Sequence, residues 1–223
     1  MYWKDEGYLL SKSNYDENSL FVETFTLNHG KHSAIVYGGT SRKLKKYFQI
    51  GNKISINWKS KGENKIGYYN IEIIKAISPL FFHNKKKTIG IVSASSILKT
   101  LLPERQINKK IYQSFEKLLN ELDNINWIKF YIFWELSLIK ELGFEVDFTS
   151  DEVITNKANN IVNINGEVFK VPNILLDNNF DENSNIEIIK ALNFNKNLLM
   201  QNFILPNSLK LPVSRDLLEK YYN

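Results

Sequence analysis

Nine lysines and arginines (Lys31, Arg42, Lys43, Lys45, Lys46, Lys53, Lys59, Lys61 and Lys65) fall in a stretch whose only acid is Glu63. Each phosphate that such a stretch neutralises releases condensed counterions, so the chemistry it suits is the binding of a polyanion. Tyr37, Tyr47, Phe48, Trp58, Tyr68 and Tyr69 are interleaved with these cations. Rings of this kind stack on bases, although in a barrel half of them must point inward. The same cations would also make a merely solvated basic rim, and composition leaves that reading open. Other sets that could do chemistry are poor. Gly38-Gly39-Thr40-Ser41 lacks the lysine of a phosphate-binding loop. His29 and His32 sit in and just after a turn with no carboxylate placed to orient either as a base, and a loop or surface role is expected for both and for His83. Asp5-Glu6, Asp16-Glu17 and Asp151-Glu152 read as solvated turns. There is no cysteine, which excludes a disulfide, a catalytic thiol and a thiolate metal site. The expectation is a binding protein without a catalytic centre, cofactor or metal.

The elements that must carry these residues divide the chain by charge. Residues 1–110 hold 19 basic and 8 acidic residues, a net of +11, and residues 111–223 hold 10 and 16, a net of −6. A length of 223 residues with 43% hydrophobic content suits one large or two small domains with a real core. Five strand candidates occupy 6–12, 19–27, 31–37, 53–59 and 66–77, separated by turn signals. Asn28-His29-Gly30 is a hairpin turn between the second and third, with Gly30 free to take positive φ. Five strands with a basic connector between the third and fourth follow the plan of an OB fold. The connector Arg42-Lys43-Leu44-Lys45-Lys46 then lies beside the barrel edge. The expected domain is 1–78.

Beyond Pro79 the hydrophobic period becomes that of helices. One covers 89–102 and stops before Pro103; a second carries the stripe Ile107, Ile111, Phe115, Leu118, Leu119 and Leu122. A third, 127–142, is capped by Asn126 and closed by Gly143, and is apolar on nearly every side. Short strands around the Asn165-Gly166 turn form a small β insertion at about 150–172, and segments at 186–192, 197–205 and 215–222 supply further short helices. The expected class is therefore α+β, an OB barrel of five strands followed by a mainly helical domain, 79–223, with that insertion. The opening MYWKDEGYLL mixes charges with its apolar residues, unlike a secretory signal. The 127–142 segment is interrupted by Lys129, Glu135 and Lys140 and is short for a bilayer. A cytoplasmic home, without a membrane partner, is expected.

The order of motifs along the chain resembles the RecO family of recombination mediators. Trp3-Lys4-Asp5-Glu6-Gly7-Tyr8-Leu9-Leu10 is similar to that family's opening strand, and Asp16-Glu17-Asn18-Ser19, Thr26-Leu27-Asn28-His29-Gly30-Lys31 and Tyr37-Gly38-Gly39-Thr40-Ser41-Arg42 follow in the family's order. Gln49-Ile50-Gly51 stands where the family has Q-P-G. Leu101-Leu102-Pro103-Glu104-Arg105 and the run from Trp134-Glu135-Leu136 to Leu142-Gly143-Phe144 resemble its helical signatures. The resemblance implies a non-enzymatic role in recombinational repair at the nucleoid. It implies binding of single- and double-stranded DNA, annealing of complementary strands, recognition of the acidic C-terminal tail of single-stranded DNA-binding protein (SSB), and action with RecR to load RecA.

Two departures stand out. Many members carry a four-cysteine zinc site in the insertion, where this chain has Thr149-Ser150-Asp151-Glu152; the insertion is either held by its hairpin and Val/Ile packing or loose. Phe130-Tyr131-Ile132-Phe133 occupies the place of basic residues just before the W-E-L segment. An SSB tail needs an apolar pocket with a cationic rim. Helical spacing puts Tyr112, Phe115 and Leu119 on adjoining parts of one face with Lys109 and Lys117 at its margin, though the same spacing also describes ordinary core. The competing class is an OB-fold RNA-binding adaptor, which would show the same basic strands without the ordered helical motifs.

Overall fold

Alternating side chains and well-placed turns close a barrel from β1 (Tyr2–Asn14), β2 (Ser19–Thr26), β3 (Gly30–Tyr37), β4 (Lys53–Lys59) and β5 (Gly67–Lys75). In this computed structural model, residues 1–62, 65–144, 154–156, 161–164, 166–176 and 185–223 are described, without the side chains at 43, 45, 154–156, 163 and 164. The order round the barrel is β1-β2-β3-β5-β4, with β3 and β5 parallel and β4 closing antiparallel onto β1. A short helix, α1 (Arg42–Lys45), lies between β3 and β4. This is the OB fold. β1 begins four residues earlier than alternation suggested, because Tyr2 to Tyr8 pair with Lys59 to Lys53 while Gly7 to Asn14 turn onto β2. Gly30 takes φ +69° at the β2–β3 turn, and a Cβ there would overlap the Gln106 carbonyl.

Four larger helices follow: α2 (Lys85–Leu101), α3 (Lys109–Asn120), α4 (Trp127–Glu141) and α5 (Asn185–Leu199), with α6 (Val213–Lys220) at the end. Asn84 and Asn108 cap α2 and α3 by accepting the N–H of Lys87 and Ile111. Asn126 makes no such bond; the Asn124 side chain accepts the Asn126 N–H at 2.9 Å and shapes the entry to α4 instead. Gly143 closes α4 at φ +100°. The two helices expected at 186–192 and 197–205 are one helix, α5, prolonged by a π turn over Met200–Ile204. Among the described residues no helix is long and apolar enough to cross a membrane.

The insertion holds a three-stranded sheet of β6 (Ile154–Asn156), β7 (Ile161–Ile164) and β8 (Glu167–Lys170). Val162 and Val171 are buried in the helical core, which ties this sheet to the rest by packing. Residues 149–152 lie outside the described residues.

Chain type changes at residue 78, where the Ile77 and Ser78 N–H groups both donate to Asn52 Oδ1. The cores do not divide there. Tyr8, Leu10 and Phe25 face outward from the barrel and join the core of the helices, against Tyr112 and Phe115 of α3. A polar clasp sits beside this packing: Lys53 Nζ donates to Glu6 at 2.9 Å and Glu116 at 2.8 Å, and Tyr8 Oη donates to Glu116 at 2.8 Å. Burial works to raise the Glu116 pKa, but the bonds from Lys53 and Tyr8 outweigh it and hold the carboxyl below its usual range. A depressed carboxyl stabilises the fold above its unfolded pKa of about 4.3 and loses that contribution as pH falls through the lower folded value. Thermal melts between about pH 6 and pH 3 are therefore expected to show a smaller acid loss in Glu116→Gln than in the parent protein. Equal losses in both would assign acid sensitivity to other carboxyls.

Candidate nucleic-acid interface

Strand register sorts the nine cations by barrel end. Asn14 of β1 faces Leu20 of β2, so the β1–β2 turn and α1 share one end; Tyr2 faces Lys59, so the β2–β3 and β4–β5 turns share the other. Arg42 and Lys46 are exposed at the first end, where Lys46 Nζ lies 5.3 Å from the Tyr47 ring. Lys43 and Lys45 belong to α1, but their side chains lie outside the described set. Lys59, Lys61 and Lys65 are exposed at the second end. The exposed cations of this contiguous stretch thus form two clusters, one at each barrel end.

Two cations leave the set. Lys31 is 8% exposed, donates to the Lys99 carbonyl oxygen at 2.8 Å and lies 4.0 Å from Glu104, so it pins the barrel to α2. Lys53 is spent in the clasp with Glu6 and Glu116: burial lowers its pKa, and the two carboxylates more than reverse this. Neither ammonium stands free for a phosphate.

The aromatics sort as sharply. Phe48, Trp58 and Tyr69 are buried in the barrel, and Tyr47 is half-buried. Tyr37 and Tyr68 are exposed, 6.1 Å apart. Tyr2 and Lys4 also lie exposed on the barrel, with Lys4 Nζ 6.0 Å and Lys59 Nζ 5.7 Å from the Tyr2 ring. Alternation missed both residues because it started the first strand at residue 6. A reading of the aromatic-basic pair Tyr2/Lys4 as the strand's true start would have found them.

The second barrel end opens into a cleft of about 730 Å³ lined by Trp3, Asn28, His29, His32, Trp58 and Arg105. Here the sequence reading of His29 needs correction. Asp5 Oδ2 lies 2.8 Å from His29 Nδ1, and the Asp5 carboxylate also accepts the Asn28 and Glu6 N–H groups and the Asn28 side-chain amide. Burial opposes ionisation of Asp5, but these bonds outweigh it and lower its pKa. The pair locks the β2–β3 turn to β1, and His29 stacks on Trp3 at 4.1 Å. His32 is buried beside Tyr69 and Thr24; burial first, then the charge of Arg105, bring its pKa to about 4, which keeps it neutral near pH 7. Among the described residues no cluster of His, Asp and Glu is arranged to hold a metal ion. Ile107, expected in the α3 stripe, is 52% exposed and lines this cleft from outside the helix.

The expected partner groove is likewise corrected. Tyr112, Phe115 and Leu119 are 1%, 0% and 3% exposed, since α3 spends its apolar face on β1, β2 and α4. Lys109 and Lys117 are exposed. Lys117 borders a different recess of about 180 Å³ between α3 and α4, lined by Ser114, Leu118, Phe130, Phe133, Trp134 and Ser137.

Comparison with known proteins bears on both halves at once. Residues 1–77 match the family profile described as "Recombination protein O N terminal", and residues 85–192 match "Recombination protein O C terminal". The chain belongs to the RecO family. It is 34% identical over 149 residues to the "DNA repair protein RecO" of Cereibacter sphaeroides, covering 67% of this chain and 62% of that one. Identity is 33% over 161 residues to the protein of that name from a Wolbachia species, covering 71% and 66%, and 31% over 145 residues to that of Roseobacter denitrificans, covering 65% and 60%. The matched region thus spans less than two thirds of these relatives' length. The segments that resemble the RecO family now have physical roles. In Leu101-Leu102-Pro103-Glu104-Arg105, the Arg105 N–H donates to the Lys31 carbonyl at 2.7 Å and Glu104 accepts from Ser33 at 3.0 Å, docking the end of α2 on the barrel. Glu135 of the W-E-L segment is wholly buried and paired with Arg215 of α6.

Proposed function

We propose that this chain is a DNA-binding recombination mediator of DNA repair. It binds single- and double-stranded DNA, anneals complementary strands, and with RecR helps RecA load onto DNA coated by SSB. The observation that carries this reading is the OB barrel of a RecO-family chain with exposed cations at both ends, Arg42 and Lys46 at one and Lys59, Lys61 and Lys65 at the other. The backbone of a strand crossing the barrel meets positive charge at each end, a term that does not depend on base sequence.

The acidic SSB tail, closed by an apolar residue, is assigned to the α3–α4 recess: Phe130, Phe133 and Trp134 offer the apolar wall and Lys117 the cationic rim. Because the two halves share a core, the receptor is tested in the intact chain. A fluorescent tail peptide should bind at micromolar strength, weaken in salt and lose most of its affinity in Lys117→Glu and Phe133→Asp. Fluorescence anisotropy on single-stranded DNA, duplex DNA and RNA, with a strand-annealing assay, tests the core of the proposal. Preference for RNA without annealing would make the chain an RNA-binding adaptor. Annealing without peptide binding would leave the DNA role and remove the tail receptor.

A further inference from the structure

The outer barrel face carries a row of aromatic and cationic side chains running across its strands. Cross-strand partners share a face of a sheet, and register places Tyr68 of β5 opposite Lys59 of β4, and Lys59 opposite Tyr2 of β1. Tyr37 extends the row onto β3, where its ring meets Tyr68 at 6.1 Å. The three tyrosines are 65% (Tyr37), 40% (Tyr68) and 52% (Tyr2) exposed. Tyr2 is flanked by two ammonium groups, those of Lys4 and Lys59, and its hydroxyl donates to Asn57 at 3.2 Å. Three open rings on one side of a closed barrel contribute nothing to either hydrophobic core.

The surroundings choose the direction. One step along the strands lie Asn70, Asn57 and Lys4, and the next step brings Glu72, Ser55 and Glu6. A polyanion that followed the strands would run into two carboxylates; one that crosses them meets none in the row. The row also joins the two cation clusters. Tyr37 ends β3 just before the connector to Arg42, and Lys59 ends β4 just before Lys61 and Lys65.

We propose that this row is the track for an unpaired DNA strand and the source of any preference for single strands over duplex. The inference rests on the DNA reading above and adds a division of labour within it. Bases of an intact duplex are stacked on one another and offer no face to a tyrosine, whereas an unpaired strand can lay successive bases on Tyr37, Tyr68 and Tyr2. Phosphates between them fall to Lys59 and Lys4. The cation clusters at the two ends act on the backbone of either form.

The experiment compares anisotropy of a labelled oligonucleotide and of its duplex on the intact protein. Loss of a stacking ring costs roughly five- to 150-fold in single-strand affinity. The double variant Tyr37→Ala/Tyr68→Ala is expected to lose at least about tenfold for single strands, with duplex affinity within about twofold of the parent. Tyr37→Trp/Tyr68→Trp, which keeps the stacking faces, should retain single-strand binding. Since both rings are exposed, melting temperatures should not move, and a variant that melts early is replaced in the comparison by Tyr2→Ala. Equal losses on both forms, or none on single strands, would overturn the track while leaving DNA binding in place. Absence of DNA binding in the parent protein would remove the track together with the reading beneath it.

Discussion

Replacing Arg215 with alanine is expected to destabilise the fold by about 3–5 kcal/mol, the range for stranding one partner of a buried ion pair. Arg215 has no exposed side-chain surface. Its Nε donates to Glu135 Oε1 at 2.5 Å, and one terminal nitrogen donates to Glu135 Oε2 at 3.1 Å and to the Leu192 carbonyl at 2.7 Å. Tyr131 and Asn195 also donate to Glu135, at 3.0 and 3.2 Å, and Ser93 reaches Tyr131 at 2.7 Å. Five residues from α2, α4, α5 and α6 thus form one buried network, in which Asn195 Oδ1 and the other terminal nitrogen of Arg215 find no hydrogen-bond partner among the described residues, the latter lying 3.7 Å from Glu219. Removing the guanidinium leaves a carboxylate with no countercharge in the apolar interior, and the helix that carried it loses its anchor. The double variant Glu135→Leu/Arg215→Leu should recover much of the loss, because it removes both charges together. Urea unfolding of the parent, the single and the double variant checks this. A single variant within about 1 kcal/mol of the parent would mean that the pair is hydrated in solution.

The second large effect is expected at the connector. Charge reversal of Arg42, Lys43 and Lys46 together should weaken binding of every DNA sequence alike. The slope of log K against log salt should fall by roughly 0.7 for each phosphate no longer neutralised on a single strand and roughly 0.9 on duplex. Relative to 1 M salt, a slope of 0.7 is worth about fivefold at 0.1 M, so three such phosphates amount to about a hundredfold. Reversal adds repulsion to that loss. Unchanged affinity at about 0.1 M salt would move the backbone-binding site away from α1. Comparison with the tyrosine variants separates the contributions, since connector changes are expected to act on single and double strands and ring changes on single strands only.

The barrel was legible because β4 and most of β5 alternate buried with more exposed side chains and its turns use residues with few alternatives, as at Asn28-His29-Gly30. Helix positions followed from apolar spacing, and the motif order pointed to the family. What remained hidden was the state of each charge. Lys31 and Lys53 look like their neighbours in the sequence, yet their partners, the Lys99 carbonyl and Glu116, come from 68 and 63 residues away. The same long-range packing misled the reading of α3. The spacing of Tyr112, Phe115 and Leu119 suggested a pocket for an acidic tail, but the outward-facing Tyr8, Leu10 and Phe25 of the barrel cover that face. Asp5 orients His29 from 24 residues upstream, which spacing within a turn cannot show. Local pattern thus specified elements, and packing across the fold decided which side chains remained available.

The continuous core between barrel and helices makes the molecule a single lever in thermodynamic terms. A ligand that binds only the folded barrel adds RT ln(1 + [L]/Kd) to the stability of everything that unfolds with it, about 2.7 kcal/mol at a hundredfold excess over Kd. With Tyr8, Leu10 and Phe25 embedded among the helices, the helical half is expected to unfold with the barrel. If the proposed sites hold, an oligonucleotide on the strands is expected to protect α4 and α6, which it never touches, from proteolysis and amide exchange, and a peptide seated between α3 and α4 to protect the strands in return.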